Sequence, residues 1–137
     1  MLELAELKPG ELLIDLGAGD GRIPIIAARE YGAHTIGYEL RPELYKRFLS
    51  NIEIFGVQAA VTAHNSDFFA APIAQADVIT CYLCEDLLER VVEKLNSEPP
   101  QNPSRRVVSY AYPLPHQTPR STHTVEPFGT TTFLYVL

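Results

Sequence analysis

Apolar residues along this chain fall into short continuous runs that alternate with stripes of helical spacing. Leu12, Leu13 and Ile14 form an unbroken run, the pattern of a strand buried on both faces of a parallel sheet. Asp15 ends the run, and Gly17, Gly19 and Gly21 then alternate through a tight turn. Residues 23–31 follow as an apolar helix, with Pro24 in the first turn, where a backbone N–H has no partner in any case. Ahead of this unit, Leu2, Leu4, Ala5 and Leu7 have helical spacing, stopped by Lys8, Pro9 and Gly10.

The alternation continues. Residues 34–40 form a second β-prone run, ending near Glu39. Pro42 opens a helix to Phe55, with Leu44, Phe48, Leu49 and Ile52 on one stripe and Gly56 as its stop. Residues 59–63 are a weak third strand, followed by the polar His64, Asn65, Ser66 and Asp67 and an irregular connection over 68–75. Residues 76–83 read as a strong buried strand, and 85–96 as an amphipathic helix with Leu87, Leu88, Val91, Val92 and Leu95 inward. Past a proline-rich loop at 98–104 comes a fifth strand, 106–112. Residues 122–126 and 131–137 then read as a closing hairpin around Pro127, Phe128 and Gly129.

This pattern predicts an α/β, Rossmann-like three-layer sandwich: a mostly parallel seven-stranded sheet with an antiparallel C-terminal hairpin. A length of 137 residues without repeats predicts a single domain, 1–137. Such a sheet binds ligands at the carboxyl ends of its strands, where the strand order switches. The residues to watch are therefore 15–21, Glu39, 65–68, 82–85 and 110–113.

Charge narrows the partners. A formal net charge of −6 argues against nucleic acid and against an anionic membrane surface, both of which need a positive face, and leaves a basic protein substrate open. Cys81 and Cys84 form a C-x-x-C with no second ligand pair, and the four histidines lack metal-ligand spacing. No metal is expected, and the thiols read as buried and reduced. The start MLELAEL has no basic-then-apolar signal pattern, so a cytoplasmic location is the expectation.

Strand, glycine turn and helix make a nucleotide-binding corner, with backbone donors and a helix N-terminus expected beside the ligand. A dinucleotide fingerprint places a small residue three positions after its second glycine, and here Arg22 stands there. A carboxylate at Asp20 repels a pyrophosphate and favours an ammonium or sulfonium. Glu39 is placed to accept from two ribose hydroxyls, Asp67 from an adenine amino group, and Phe68 to lie against the ring. Adenosine joined to a cationic amino acid, without phosphate, is S-adenosylmethionine.

The segments DLGAGDGR, GYEL, NSDFF, DVITCYL and RRVVSYAYPLP, in that order, resemble the class I, seven-strand methyltransferases. More narrowly, they are similar to small archaeal-type protein-lysine methyltransferases and their mitochondrial relatives. The resemblance implies that Asp15, Gly17, Ala18, Gly19, Asp20, Glu39, Leu40, Asp67, Phe68 and Tyr82 carry the cofactor, with Tyr82 and Leu83 as the floor under the transferred methyl. It implies methyl transfer to a protein lysine amine by direct in-line displacement. A lysine must be neutral to attack, and Tyr82, Tyr110 and Tyr112 are the catalytic candidates for that step, with Glu85 as a further proton acceptor. A small-molecule methyltransferase and a non-catalytic cofactor-binding scaffold are the alternatives, and the chain is expected to be a monomer or homodimer. Where the family often has an acidic or polar pair on the fifth strand, this chain has Tyr110, Ala111 and Tyr112.

Overall fold

The computed structural model describes residues 1–127 and 129–137; Phe128, in the expected hairpin turn, lies outside them. Seven strands form one sheet. In chain order the elements are β1 (Leu12–Leu16), α1 (Arg22–Tyr31), β2 (His34–Tyr38), α2 (Pro42–Phe55), β3 (Val61–His64), a single 3₁₀ turn (Phe68–Ala70), β4 (Val78–Cys81), α3 (Glu85–Ser97), β5 (Arg106–Tyr110), β6 (Ser121–Val125) and β7 (Thr130–Val136). The strand order is β3-β2-β1-β4-β5-β7-β6. β1 to β5 run parallel, and β7 pairs antiparallel with both β5 and β6.

Alternation along the strands sends side chains to two cores. Ile14, Leu16, Ile79, Cys81 and Val107 pack with Leu88, Val91 and Leu95 of α3 on one face. Leu13, Val78, Val108 and Leu134 pack on the other face against Ala27 of α1 and against Leu2, Ala5 and Leu7 of the N-terminal segment. A third cluster joins Ile25 of α1 to Phe48 and Ile52 of α2 and Val61 of β3. The expected three-layer architecture is therefore present, and the order reverses beside β1, where β2 lies on one side and β4 on the other.

The N-terminal segment is not the helix its spacing predicts. Ala5 N–H donates to Met1 O at 3.0 Å, but Glu6 takes a left-handed φ of 51° and closes the structure as a turn. Leu2, Ala5 and Leu7 are nevertheless buried and Leu4 half-buried, so the apolar spacing reports docking rather than helix length. Strand ends also differ. β2, β4 and β5 stop at Tyr38, Cys81 and Tyr110, two residues short of the expected 40, 83 and 112. At this edge Leu16 pairs with Cys81, and Cys81 with Ser109; beyond that row the chains diverge and open the cleft.

Candidate active site

The cleft at the carboxyl ends of β1 and β4 consists of two cavities, of about 620 Å³ and about 500 Å³, sharing Gly17, Gly19 and Tyr82. Glu39, Leu40, Asp67, Phe68 and Leu83 line the larger one. Asp15, Ala18, Asp20 and Tyr110 line the smaller.

Backbone bonding in the glycine turn corrects one expectation. Gly17 and Ala18 N–H both donate to Tyr38 O, at 3.0 and 2.8 Å, and Gly19 N–H donates to the Glu39 Oε2 at 3.3 Å. Gly21 N–H donates to Ala18 O at 2.9 Å. These donors hold the turn against β2 instead of pointing at a ligand, so the turn is no phosphate cradle. Acceptors dominate the site instead, and acceptors fit hydroxyls, an amino group and a cation. Gly19, at φ 59°, has nothing within 4 Å of where a Cβ would stand, so the turn presents bare backbone to the cleft.

Glu39 follows β2, is 7% exposed, and is anchored by its N–H to His64 O at 2.9 Å and by Asn65 Nδ2 donating to its carbonyl at 2.9 Å. Its carboxylate, with room for about four hydrogen bonds, takes one from Gly19 and faces the larger cavity. Asp67 lies three residues beyond β3 and caps the 3₁₀ turn, with Phe69 N–H donating to its Oδ1 at 2.9 Å. Capping and cavity lining coexist, since a carboxylate has two oxygens. Phe68 is buried beneath Phe69, ring centroids 4.3 Å apart. Leu40 is 65% exposed at the cavity rim.

Asp15, the penultimate residue of β1, stands in register with Thr80, whose hydroxyl donates to Asp15 Oδ1 at 2.7 Å. Burial pushes its carboxyl up to about 7; the Thr80 bond opposes that rise, and the nearby Glu39 charge adds to it. An unfolded aspartate titrates near 3.9. Between roughly pH 4 and 7 the folded protein holds this proton and the unfolded chain does not, so the group's contribution to stability falls as pH rises through that window. Above it the buried charge is uncompensated. Asp15→Asn keeps an acceptor for Thr80 and removes the charge, so it is expected to raise stability at pH 8 by on the order of 1–3 kcal/mol, with the gain shrinking toward pH 4. Denaturant melts of both proteins at pH 5, 6, 7 and 8 check this; a pH-independent difference between them contradicts it.

Asp20 forms an ion pair with Arg22, Oδ2 to the guanidinium at 3.1 Å, and its carboxyl is lowered chiefly by that hydrogen bond. Its charge is thus partly answered within the chain. Tyr82, 64% exposed, meets Tyr110 edge-to-face at 5.0 Å and 85°. Tyr112 does not join them. Ala111 takes a left-handed φ of 72° just past β5, and Ser109 Oγ donates to Tyr112 O at 2.6 Å, so the alternation that puts residues 110 and 112 on one face is broken. Tyr112 instead lines a small depression with Cys84, Glu85 and Asp86. Both cysteines are free, but only Cys81 is buried, its thiol pushed up to about 12 by that burial; Cys84 is exposed, contrary to expectation.

Several cleft residues escape sequence reasoning. Tyr38 lies inside the GYEL segment and Phe69 directly follows Phe68, so both were within reach. Leu87, expected in the core, lines the cleft. Arg41 and Arg90 also line it, from polar positions that give no sequence signal.

The ANTKMT methyltransferase domain pattern matches residues 15–121. A protein-lysine N-methyltransferase of Saccharolobus islandicus (strain REY15A) is 34% identical over 140 residues, covering 100% of this chain and 86% of that protein. The adenine nucleotide translocase lysine N-methyltransferase of Mus musculus is 33% identical over 120 residues, covering 87% of this chain; the chain spans 51% of that relative's length. Among solved structures, an RNA methyltransferase from Salinibacter ruber in complex with S-adenosyl-L-homocysteine superposes with a TM-score of 0.90 at 35% identity, covering 98% of this chain and 85% of that one.

Proposed function

This chain belongs to the ANTKMT methyltransferase domain family, and from that premise we propose that its acceptor is the side-chain amine of a protein lysine. It is an S-adenosylmethionine-dependent methyltransferase, as its relatives are. In our reading the larger cavity takes adenosine, with Glu39 on the ribose, Asp67 and Phe68 at the adenine, and Gly17, Ala18, Gly19 and Leu40 shaping the walls. The smaller cavity takes the amino acid end and the acceptor, with Asp15 and Asp20 facing the ammonium.

The observation that carries the acceptor assignment is the Tyr82–Tyr110 edge-to-face pair beside Asp15 and Asp20 at the smaller cavity. An aliphatic amine held against the face of this tyrosine pair loses water, which lowers its pKa toward the neutral form that attacks. Carboxylates nearby favour the approach of a cation and oppose a phosphate backbone, as does the net charge of −6. Bound S-adenosylmethionine supplies a sulfonium-activated methyl carbon. The chain aligns the amine with that carbon, a contribution of roughly 7–11 kcal/mol when fully realised, and excludes water. The neutral amine attacks through its lone pair, the methyl–sulfur bond breaks to leave neutral S-adenosylhomocysteine, and the methylammonium product releases its proton to solvent. The Tyr82 and Tyr110 hydroxyls orient the amine by hydrogen bonding. Leu83 closes the floor of the cleft.

The solved RNA methyltransferase from Salinibacter ruber defines the second reading, an RNA acceptor. Both are tested together by incubating the protein with methyl-labelled S-adenosylmethionine and a cell lysate, then dividing the products by protease, ribonuclease and acid hydrolysis. Label recovered as ε-N-methyl-lysine is the expected result. Label sensitive to ribonuclease supports the second reading, and label confined to small molecules overturns both. Binding of S-adenosylhomocysteine without any transfer leaves the scaffold reading.

A further inference from the structure

Outside the residues that face the reacting groups, one chain of contacts ties the adenine end of the cleft to the far half of α3. Phe69, in the 3₁₀ turn, is held from both sides. Its N–H donates to Asp67 Oδ1, and its carbonyl accepts from Lys94 Nζ at 3.1 Å. Lys94 is 8% exposed, an unusual place for an ammonium, and its charge is met by Glu98 Oε1 at 2.6 Å. The other Glu98 oxygen, Oε2, takes the Ile73 N–H at 2.9 Å, just beyond the same turn. One partly buried ion pair thus fastens the backbone at Phe69 and again at Ile73.

Arg90 stands one helical turn before Lys94, on the same face of α3. Its guanidinium lies 3.8 Å from the centroid of the Phe69 ring, a close cation–π contact. Phe69 and Arg90 both line the larger cavity. Leu87, a further turn toward the start of α3, lines it too. The row Leu87, Arg90 and Lys94 therefore builds a wall of the cleft, of which Lys94 is the hidden fastening.

Such a pair is weak evidence of stabilisation, because desolvation of the Lys94 ammonium cancels much of its attraction. A geometric role accounts better for a pair whose remaining side-chain hydrogen bonds go to the backbone at Phe69, in the cleft-lining turn, and at Ile73, three residues beyond it. We propose that Lys94 and Glu98 are positioning residues for the cofactor's adenine: they fix the Phe68–Phe69 turn and thereby hold the Phe69–Arg90 stack as one wall of the adenine subsite. Arg90 touches the ligand, and Lys94 acts through Phe69. The proposal rests on the assignment of the larger cavity to adenosine.

The test is a double-mutant cycle read by calorimetric titration of S-adenosylhomocysteine into the wild type, Arg90→Ala, Lys94→Met and the double variant, with thermal melts of each unliganded protein. Arg90→Ala is expected to weaken binding about tenfold while lowering the unliganded melt by only a few degrees, since its side chain is exposed and loses one surface cation–π contact. Lys94→Met is expected to weaken binding to a similar degree, and the double variant little more than either single one, because both changes dismantle the same wall. Losses that multiply in the double variant overturn the positioning role, and so does wild-type affinity in Arg90→Ala. Should Lys94→Met not fold, Glu98→Gln, which keeps an oxygen for the Ile73 amide, takes its place in the cycle with the same expectation. Glu39→Ala runs in parallel as the control on the site itself. If it leaves affinity intact, the adenosine assignment fails; if it abolishes binding while Arg90→Ala changes nothing, only the present proposal fails.

Discussion

Glu39→Ala is expected to weaken S-adenosylhomocysteine binding by about 100-fold or more. A carboxylate that accepts from two ribose hydroxyls makes charge-assisted hydrogen bonds worth roughly 1.5–3 kcal/mol each, and alanine removes both. Glu39 is also buried and fastens the Gly19 amide, so the mutation loosens the turn over which the ligand lies. Glu39→Gln separates the two effects. It keeps one oxygen for Gly19 or the ribose and is expected to retain intermediate affinity. Calorimetric titration of the three proteins measures the ratio, and equal affinity of Glu39→Ala and wild type removes Glu39 from the site.

Gly21→Ala is expected to destabilise the fold by about 2–5 kcal/mol, combining a left-handed backbone penalty with overpacking, and to lower Tm by about 10 °C or more. Gly21 has φ 84°, and a Cβ there would stand 1.9 Å from Phe48 Cδ2. The ring cannot step aside cheaply, because Phe48 is fully buried and its opposite edge is already packed against Gly37, so closely that only a glycine fits there. Gly10→Ala is the matched control. Its φ is 82°, but nothing lies within 4 Å of the added carbon, so it carries the backbone cost alone. Thermal melts of the two variants isolate the packing contribution, and equal losses overturn the assignment to Phe48.

Gly21 also shows how the glycine turn divides its work. Gly17 and Gly19 face the cleft, whereas Gly21 faces α2 and admits the aromatic ring that couples α2 to β2. Regular spacing of the three glycines announces a turn but not this division, because it depends on which neighbour arrives from α2, some 27 residues along the chain.

The pattern of apolar residues determined by itself the α/β class, the seven strands, α1 to α3, and the glycine turn between β1 and α1, because these follow from local periodicity and from residues with restricted or permissive backbone. The set DLGAGDGR, GYEL and NSDFF likewise located Glu39, Asp67 and Phe68, since parallel strands deliver their carboxyl-end residues to one edge. Other features were settled only by tertiary contact. The N-terminal segment became a docked turn, and Tyr112 left the cleft when Ala111 broke the strand. The turn amides were taken by Tyr38 and Glu39 instead of a ligand, and Asp15 acquired its raised pKa through burial beside Thr80. Arg90 and Lys94 read in sequence as ordinary polar positions of an amphipathic helix. Only the folding of α3 against the Phe68–Ala70 turn gave one an aromatic face and the other a buried carbonyl. Periodicity records which way a side chain points, while a hydrogen bond or a shifted pKa depends on which distant segment arrives there.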